Sequence, residues 1–276
     1  GGENPQATRP LFSDFYKRVR HFGTHGSYLR LIRGEVDLIY ECRRPSADEK
    51  KEMRTRRISL DIRPVALDAF VFLRHAENPV KGLSLEQVRN IFTAEKDGKA
   101  KVGNWKALGG PDLEINAYVR NANSGSQETM LCRVIKDREM IRGRRMLAMT
   151  MRGPFNQLER DKAGIGFTFF YYQRYMSPIG TPFSVKLKNS RKTKSDKKPK
   201  VEMLHLGGVI PGRWSIWNRF YPLTTEVYVV TRKGLNPHHP AAKLRDWLLT
   251  EEGQRIVSET GYLPVGRGDV RSGRSE

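Results

Sequence analysis

The stretch that most constrains the fold is a strand running through a turn into a helix with no residues to spare. Ile115 to Val119 has the composition of a short buried strand, Arg120-Asn-Ala-Asn-Ser-Gly-Ser follows at once, and Gln127 to Val134 has helical apolar spacing. A strand that returns immediately as a helix is the building unit of an α/β layer architecture. The turn also carries chemistry. The first amides of a helix lack intrahelical partners and hold about half a positive charge. Gly125 lets the backbone come close to a ligand, Ser124 and Ser126 offer hydroxyls, and Arg120 offers a two-pronged, permanently charged donor. Every group in the turn donates, so its ligand accepts: an oxyanion, with phosphate or sulfate ahead of a lone carboxylate. On local evidence the plainer reading still leads, with Ser124 an ordinary N-cap and Arg120 a surface charge.

The rest of the chain repeats the α/β grammar. Pro10 to Val19 has helical spacing with proline at the first helical position. Phe22-Gly-Thr-His-Gly-Ser27 is a second turn rich in glycine and hydroxyls, leading into a helix over Tyr28 to Arg33. Gly34 stops that helix, and Val36 to Tyr40 follows as a short strand. Ser46 with Glu49, and Ser84 with Gln87, form capping boxes that open two further helices. Strands are expected over Ile58 to Arg63, Val65 to Leu73, Val201 to Leu206 and Thr225 to Thr231. Gly153 to Leu158 reads as a short helix, and Ile165 to Tyr172 as an aromatic strand or a strand-to-helix passage. Pro240 to Leu249 and a segment from Thr250 to about Gly261 close the chain as helices, and Gly266 to Glu276 reads as a disordered tail.

With 276 residues the chain can form one large or two medium domains. Fifty Lys and Arg against thirty Asp and Glu give a net charge of +20, which invites nucleic-acid or anionic-surface partners. The cations are nevertheless spread along the chain, and the one dense run, Lys186 to Lys200, reads as a solvated loop. Cys42 and Cys132 are the two cysteines and lack CxxC spacing, which argues against structural zinc and leaves a single disulfide open. His238-His239 has no third ligand nearby and reads as loop. Trp105, Trp247 and Phe167 to Tyr172 read as core. No GxSxG frame, phosphate-binding GxxxxGK loop or HExxH motif occurs, and no base is identifiable beside Ser124, so the chain is read as no enzyme and as needing no cofactor. No apolar run approaches the ~18 residues of a membrane span. The opening Gly1-Gly2, without methionine, reads as a processed form, so a missing leader says nothing of compartment.

Five stretches, in order, resemble the phosphate-specific substrate-binding proteins of bacterial phosphate ABC transporters. They are Ala7-Thr-Arg-Pro10; Gly23-Thr-His-Gly26 through Gly34-Glu-Val-Asp37; Asn78-Pro-Val with Leu85 to Phe92 and Asn104-Trp-Lys-Ala-Leu-Gly-Gly110; Arg120 to Thr129; and Tyr221-Pro-Leu-Thr-Thr225 with Asp246-Trp-Leu-Leu-Thr-Glu-Glu-Gly253. The resemblance implies an α/β, two-lobed type 2 periplasmic-binding-protein fold with two crossover strands, Val65 to Leu73 and Glu226 to Thr231, and an interlobe ligand cleft. Lobe one would hold residues 1–72 plus 228–266 and lobe two residues 73–227 with the basic insert 186–200, leaving 267–276 as tail. It further implies phosphate contacts from Thr8, the adjacent amide of Arg9, Thr24, Arg120, Ser124, Gly125 and Ser126, with Ser126 in place of the family's threonine. The family's phosphate-accepting aspartate has no counterpart: Cys42 stands there beside Arg43, both candidate cleft residues, and Glu41 is the one carboxylate nearby. Losing that acceptor should weaken rejection of sulfate. The implied protein is a monomeric, periplasmic or extracellular solute-binding protein, in some forms lipid-anchored before processing. It would capture inorganic phosphate, or sulfate or another oxyanion, by lobe closure and pass it to a membrane permease. The contrasting reading is a basic nucleic-acid or anionic envelope-polymer binding protein on the same fold.

Overall fold

The computed structural model describes residues 19–20, 22–122, 124–141, 146–148, 153–176 and 199–266. In chain order the first elements are α1 (Thr24–Arg33), β1 (Leu38–Glu41), α2 (Ala47–Thr55) and β2 (Leu60–His75). Then come β3 (Gly82–Leu83), α3 (Leu85–Phe92), a single 3-10 turn at Trp105–Leu108, β4 (Asn116–Arg120) and α4 (Gly125–Thr129). The chain continues from α4 as π-helix over Met130–Ile135, then through β5 (Met146–Ala148), α5 (Gly153–Leu158), β6 (Gly164–Phe169) and α6 (Phe170–Met176). The last part holds β7 (Val201–Met203), β8 (His205–Leu206), α7 (Arg213–Trp217), β9 (Thr224–Arg232), α8 (Pro240–Leu248), α9 (Glu251–Glu259) and β10 (Leu263–Pro264).

Sequence patterning expected two strands over residues 58–73, and the structure has one, of 16 residues. Pro64, which broke the apparent pattern, sits where the pairing of β2 with β9 shifts register between Pro64 and Ala66. A bulge is where a strand tolerates a residue with no N–H to donate. The two ends of β2 serve different neighbours. Leu60 to Ala69 pairs antiparallel with β9, which in turn pairs with β1, whereas Phe70 to Arg74 pairs with β6. β6 runs parallel to β4, and β4 parallel to β5. The sheet order is therefore β1-β9-β2-β6-β4-β5, with β7 and β10 also on β2.

Packing follows that division. Beyond Ala69 both faces of β2 are covered, and Phe70, Phe72, Phe92 and Phe167 meet at ring centroid distances of 5.3 to 6.4 Å. Edge and tilted contacts of this kind are the favoured geometry for aromatic pairs. Trp105 is fully buried and donates its indole N–H to the Ala163 carbonyl at 2.8 Å, which holds the 3-10 turn against the start of β6. Around the other half of β2, Tyr28, Leu31, Ile39 and Val230 form a smaller cluster beneath α1, and Val65, Val229, Leu248 and Val257 form one beneath α8 and α9.

Helix starts were the most legible signals. The expected capping boxes at Ser46/Glu49 and Ser84/Gln87 are both formed, and Thr250 caps α9. α1 departs from expectation, beginning at Thr24 rather than Tyr28. Gly23 and Gly26 made this segment look like a turn, but Gly26 lies inside the first helical turn. Val201 to Leu206, expected as one strand, divides into β7 and β8 at Leu204, which pair with β2 and β3 respectively. His239 caps α8 by accepting from the Ala241 amide at 3.2 Å. Both cysteines are free. The expected helix over Pro10 to Val19, apart from Val19, and the tail from residue 267 lie outside the described residues, as does all of the basic insert except Pro199 and Lys200.

Candidate functional site

Three separate parts of the chain meet at Gly125. A Cβ built on that glycine would lie 2.8 Å from Thr24 Oγ1 and 3.1 Å from Cys42 Sγ. Thr24 opens α1, Cys42 follows the last residue of β1, and Gly125 opens α4. The sheet explains the meeting. β1 is carried by β9 and β4 by β6, and both β9 and β6 pair with β2, so the ends of β1 and β4 are held to one scaffold strand. Substitution by alanine should expose the tightness of this approach. Gly125→Ala normally gains helix propensity of ~1 kcal/mol. Here the added methyl must displace a stiff, β-branched Thr24 side chain, and we expect a net loss of about 1–3 kcal/mol in denaturant unfolding.

Two helix N-termini thus face one space. Gly23, the N-cap of α1, provides no side-chain cap, and no acidic residue sits in the first turn. Ser124 caps α4, accepting from the Gln127 amide at 3.2 Å. Its oxygen therefore has the capping role, and its own O–H proton is left to donate to a ligand. Ser126 is different: it is buried, and its Oγ has no hydrogen-bond partner among the described residues. A buried hydroxyl without a partner costs about 1–3 kcal/mol, which a ligand oxygen would offset. Arg120, at the end of β4, is only 7% exposed rather than a surface charge. Its amide donates to Gln127 Oε1 at 3.0 Å, tying the strand end to α4. Burial lowers the pKa of its guanidinium below the ordinary arginine value, with the Tyr172 phenol acting the other way. A cation desolvated to this degree gains most from an anion brought beside it.

The site also holds residues to which the sequence assigned no such role. Glu41, the last residue of β1, is 8% exposed and accepts hydrogen bonds from the hydroxyls of Ser27 and Thr24. Burial outweighs those bonds and pushes its carboxyl up to about 7. Tyr172, read as core, is half-buried at the start of α6 and lies within electrostatic reach of Arg120 and Cys42. Asp68 is buried where β2 exchanges β9 for β6. One of its oxygens accepts from the amides of Ala69 at 2.8 Å and Tyr171 at 3.1 Å, and burial pushes its carboxyl up to about 7 as well.

The two residues flagged beside the missing aspartate fare differently. Cys42 stands against Gly125 as a neutral thiol, since burial pushes its pKa up. Arg43 is in an ion pair: two of its three guanidinium nitrogens, Nη1 and Nη2, reach the fully buried Glu49 at 2.8 Å, and its buried Nε has no hydrogen-bond partner among the described residues. His25 Nδ1 lies 3.0 Å from the same carboxylate. Arg43 is thus the partner of a structural ion pair. Thr8 and Arg9 lie outside the described residues. Among the described residues no group of three or more His, Cys, Asp or Glu could hold a metal ion.

Comparisons with known proteins agree with this architecture. SphX of Synechococcus elongatus is 24% identical over 246 residues, covering 88% of this chain and 67% of that protein. The phosphate-binding protein PstS of Pseudomonas aeruginosa is 27% identical over 215 residues, covering 73% of this chain and 59% of that protein. The chain thus spans between about three fifths and two thirds of these relatives. A Clostridium perfringens protein solved with bound phosphate superposes with a TM-score of 0.67 at 21% identity, over 88% of this chain and 85% of that one. An ABC-type phosphate transport receptor from Vibrio cholerae gives 0.63 at 16% identity, over 87% and 85%. At such identities the superpositions speak for the fold: mixed α/β, of the type 2 periplasmic-binding-protein class. A family model described as the PBP superfamily domain matches residues 16–252, a span that contains α1, β1, β4 and α4 and therefore the whole meeting point at Gly125, and the chain accordingly belongs to the PBP superfamily.

Proposed function

We propose that this chain captures inorganic phosphate between two lobes and delivers it to the permease of an ABC-type transporter. The observation that carries the reading is the convergence at Gly125: two helix N-termini meet there beside Ser126, whose buried hydroxyl has no partner among the described residues, and the buried Arg120 ends the strand that leads into α4. A tetrahedral anion supplies acceptors to all of them at once. The names of the relatives, phosphate-binding and phosphate-transport proteins, point the same way. The lobes are residues 1–72 with 228–266 and residues 73–227, and they close about β2 and β9 by a hinge. In this reading the phosphate shell comprises Thr8, the amide of Arg9, Thr24, Arg120, Ser124, Gly125 and Ser126.

Selectivity is assigned to Glu41 in place of the absent aspartate. When protonated, its carboxyl donates to Thr24 Oγ1, which frees the threonine proton for the ligand. The chain acts outside the cytoplasm, as a monomer, and as the binding component of a transport system rather than as an enzyme. No helix among the described residues is long and apolar enough to cross a membrane. The nucleic-acid or polymer reading finds no feature at this site, whose donors converge on a point rather than along a track.

Thermal unfolding with phosphate, sulfate and an oligonucleotide tests the reading. Phosphate at ~100 times its dissociation constant should add about 2.7 kcal/mol of apparent stability. Sulfate should add less. No response to millimolar phosphate, combined with a salt-sensitive response to the oligonucleotide, would reject phosphate capture.

A further inference from the structure

A second collection of cations lies away from the Gly125 space, where the C-terminal end of α2 turns into β2. Two adjoining grooves of about 480 Å³ each share the wall Arg57-Ile58-Ser59. Lys50 and Arg54 of α2 line one of them, and Arg232 and Lys233 at the end of β9 line the other. Among the described residues no acidic side chain lines either groove. Two arginines of this region are already committed, Arg56 to Glu52 and Arg232 to Asp37 at 2.7 Å. Lys50, Arg54, Arg57 and Lys233 are exposed, and among the described residues none of them is in an ion pair.

Cations at a helix C-terminus have an ordinary explanation in the macrodipole, and Arg54 fits it. Arg57 does not. It lies beyond the Arg56 C-cap with φ of 54°, in the left-handed region that helix ends normally give to glycine or asparagine. A long, charged side chain is held there against the backbone preference, and it is the residue the two grooves share. Lys233 comes from a distant part of the sequence and has no helix end to compensate. Its amide donates to the Ser59 carbonyl at 2.8 Å, which fixes its backbone beside Arg57.

We propose that this groove is a second anion site and takes a linear oligophosphate. The grooves are open and their cations exposed, so a single phosphate would be held weakly against solvent screening. A chain of linked phosphates engages several cations through one tethered ligand and gains from effective concentration. Successive phosphates lie in the two grooves, with Arg57 between them and with Arg54 and Lys233 on either side.

Calorimetric titration of the full chain with tripolyphosphate tests this, in an Arg120→Ala background that removes the Gly125 site from the measurement. Arg57→Gly should weaken tripolyphosphate binding by about tenfold, as for loss of one charge-assisted contact. The same substitution should leave Tm unchanged or raised, because glycine suits the left-handed backbone. Weaker binding therefore cannot be ascribed to misfolding. Arg54→Ser with Lys233→Ser should weaken binding further, and with Arg120 intact none of these changes should alter the response to inorganic phosphate. Tripolyphosphate binding unaffected by Arg57→Gly, or tighter binding of a single-stranded oligonucleotide than of tripolyphosphate at this groove, would overturn the proposal. Failure of the phosphate response at the Gly125 site would leave it standing.

Discussion

Replacing Arg120 by alanine is expected to remove the phosphate-dependent stabilisation of this protein. Arg120 is 7% exposed as a residue, and burial dominates the downward shift in its pKa. A guanidinium that has lost part of its hydration gains more from an anion beside it than a surface one does. Alanine removes that attraction. With phosphate at ~100 times the parent's dissociation constant, the parent gains about 2.7 kcal/mol and the variant a few tenths at most. Arg120→Lys should fall between them, because an ammonium keeps the charge but loses the planar two-pronged donor. A phosphate response in Arg120→Ala equal to that of the parent would place the ligand elsewhere in the protein.

What the sequence disclosed about this site depended on how local the cause was. Arg120, Ser124, Gly125 and Ser126 were legible because a strand end, a cap and a helix start lie within seven residues of one another, and their geometry follows from the backbone. The burial of Arg120 was not legible, since it depends on β6 and α6 being packed alongside. Thr24 was visible only through family resemblance, because two glycines disguised the first turn of α1 as a loop. The ion pair of Arg43 is hidden from the sequence for a reason of the same kind. Its partner Glu49 was correctly read as a capping-box residue, and the structure gives that carboxylate a second role: Oε2 accepts from both the Ser46 amide and Arg43. Spacing along a helix shows the first role and is silent on the second. Glu41 was noticed only as the carboxylate next to Cys42, and nothing local marked it for burial against Thr24. Its place is fixed by pairing with Tyr228, nearly two hundred residues away, and its partners Thr24 and Ser27 belong to a helix start that patterning had missed. Strand β2 shows the opposite failure: Pro64 was over-read as a break when the register shift simply absorbs it.

Glu41→Gln should then change how the protein responds to pH. In the folded protein burial raises the carboxyl from 4.5 to about 7, while Ser27, Thr24 and Arg43 pull it down and Glu49 pushes it further up. A group whose folded pKa is raised binds more protons folded than unfolded, so stability falls as pH rises from about 4.5 to about 7 and is level above. At ~1.4 kcal/mol per pH unit this single group contributes on the order of 3 kcal/mol. Asp68, raised to about 7 by burial, acts in the same direction and remains in the variant. Urea unfolding at pH 5 and pH 8 should therefore show a smaller loss in Glu41→Gln than in the parent, by up to that amount. Binding carries the second half of the expectation. A bound anion near Thr24 favours the protonated carboxyl, so phosphate affinity in the parent should weaken by up to about tenfold per pH unit above 7. Phosphate itself titrates in this range, but its own protonation enters parent and variant equally, so the difference between their pH profiles isolates Glu41. Parallel profiles would show that this carboxyl, though buried beside Thr24, does not sense the ligand.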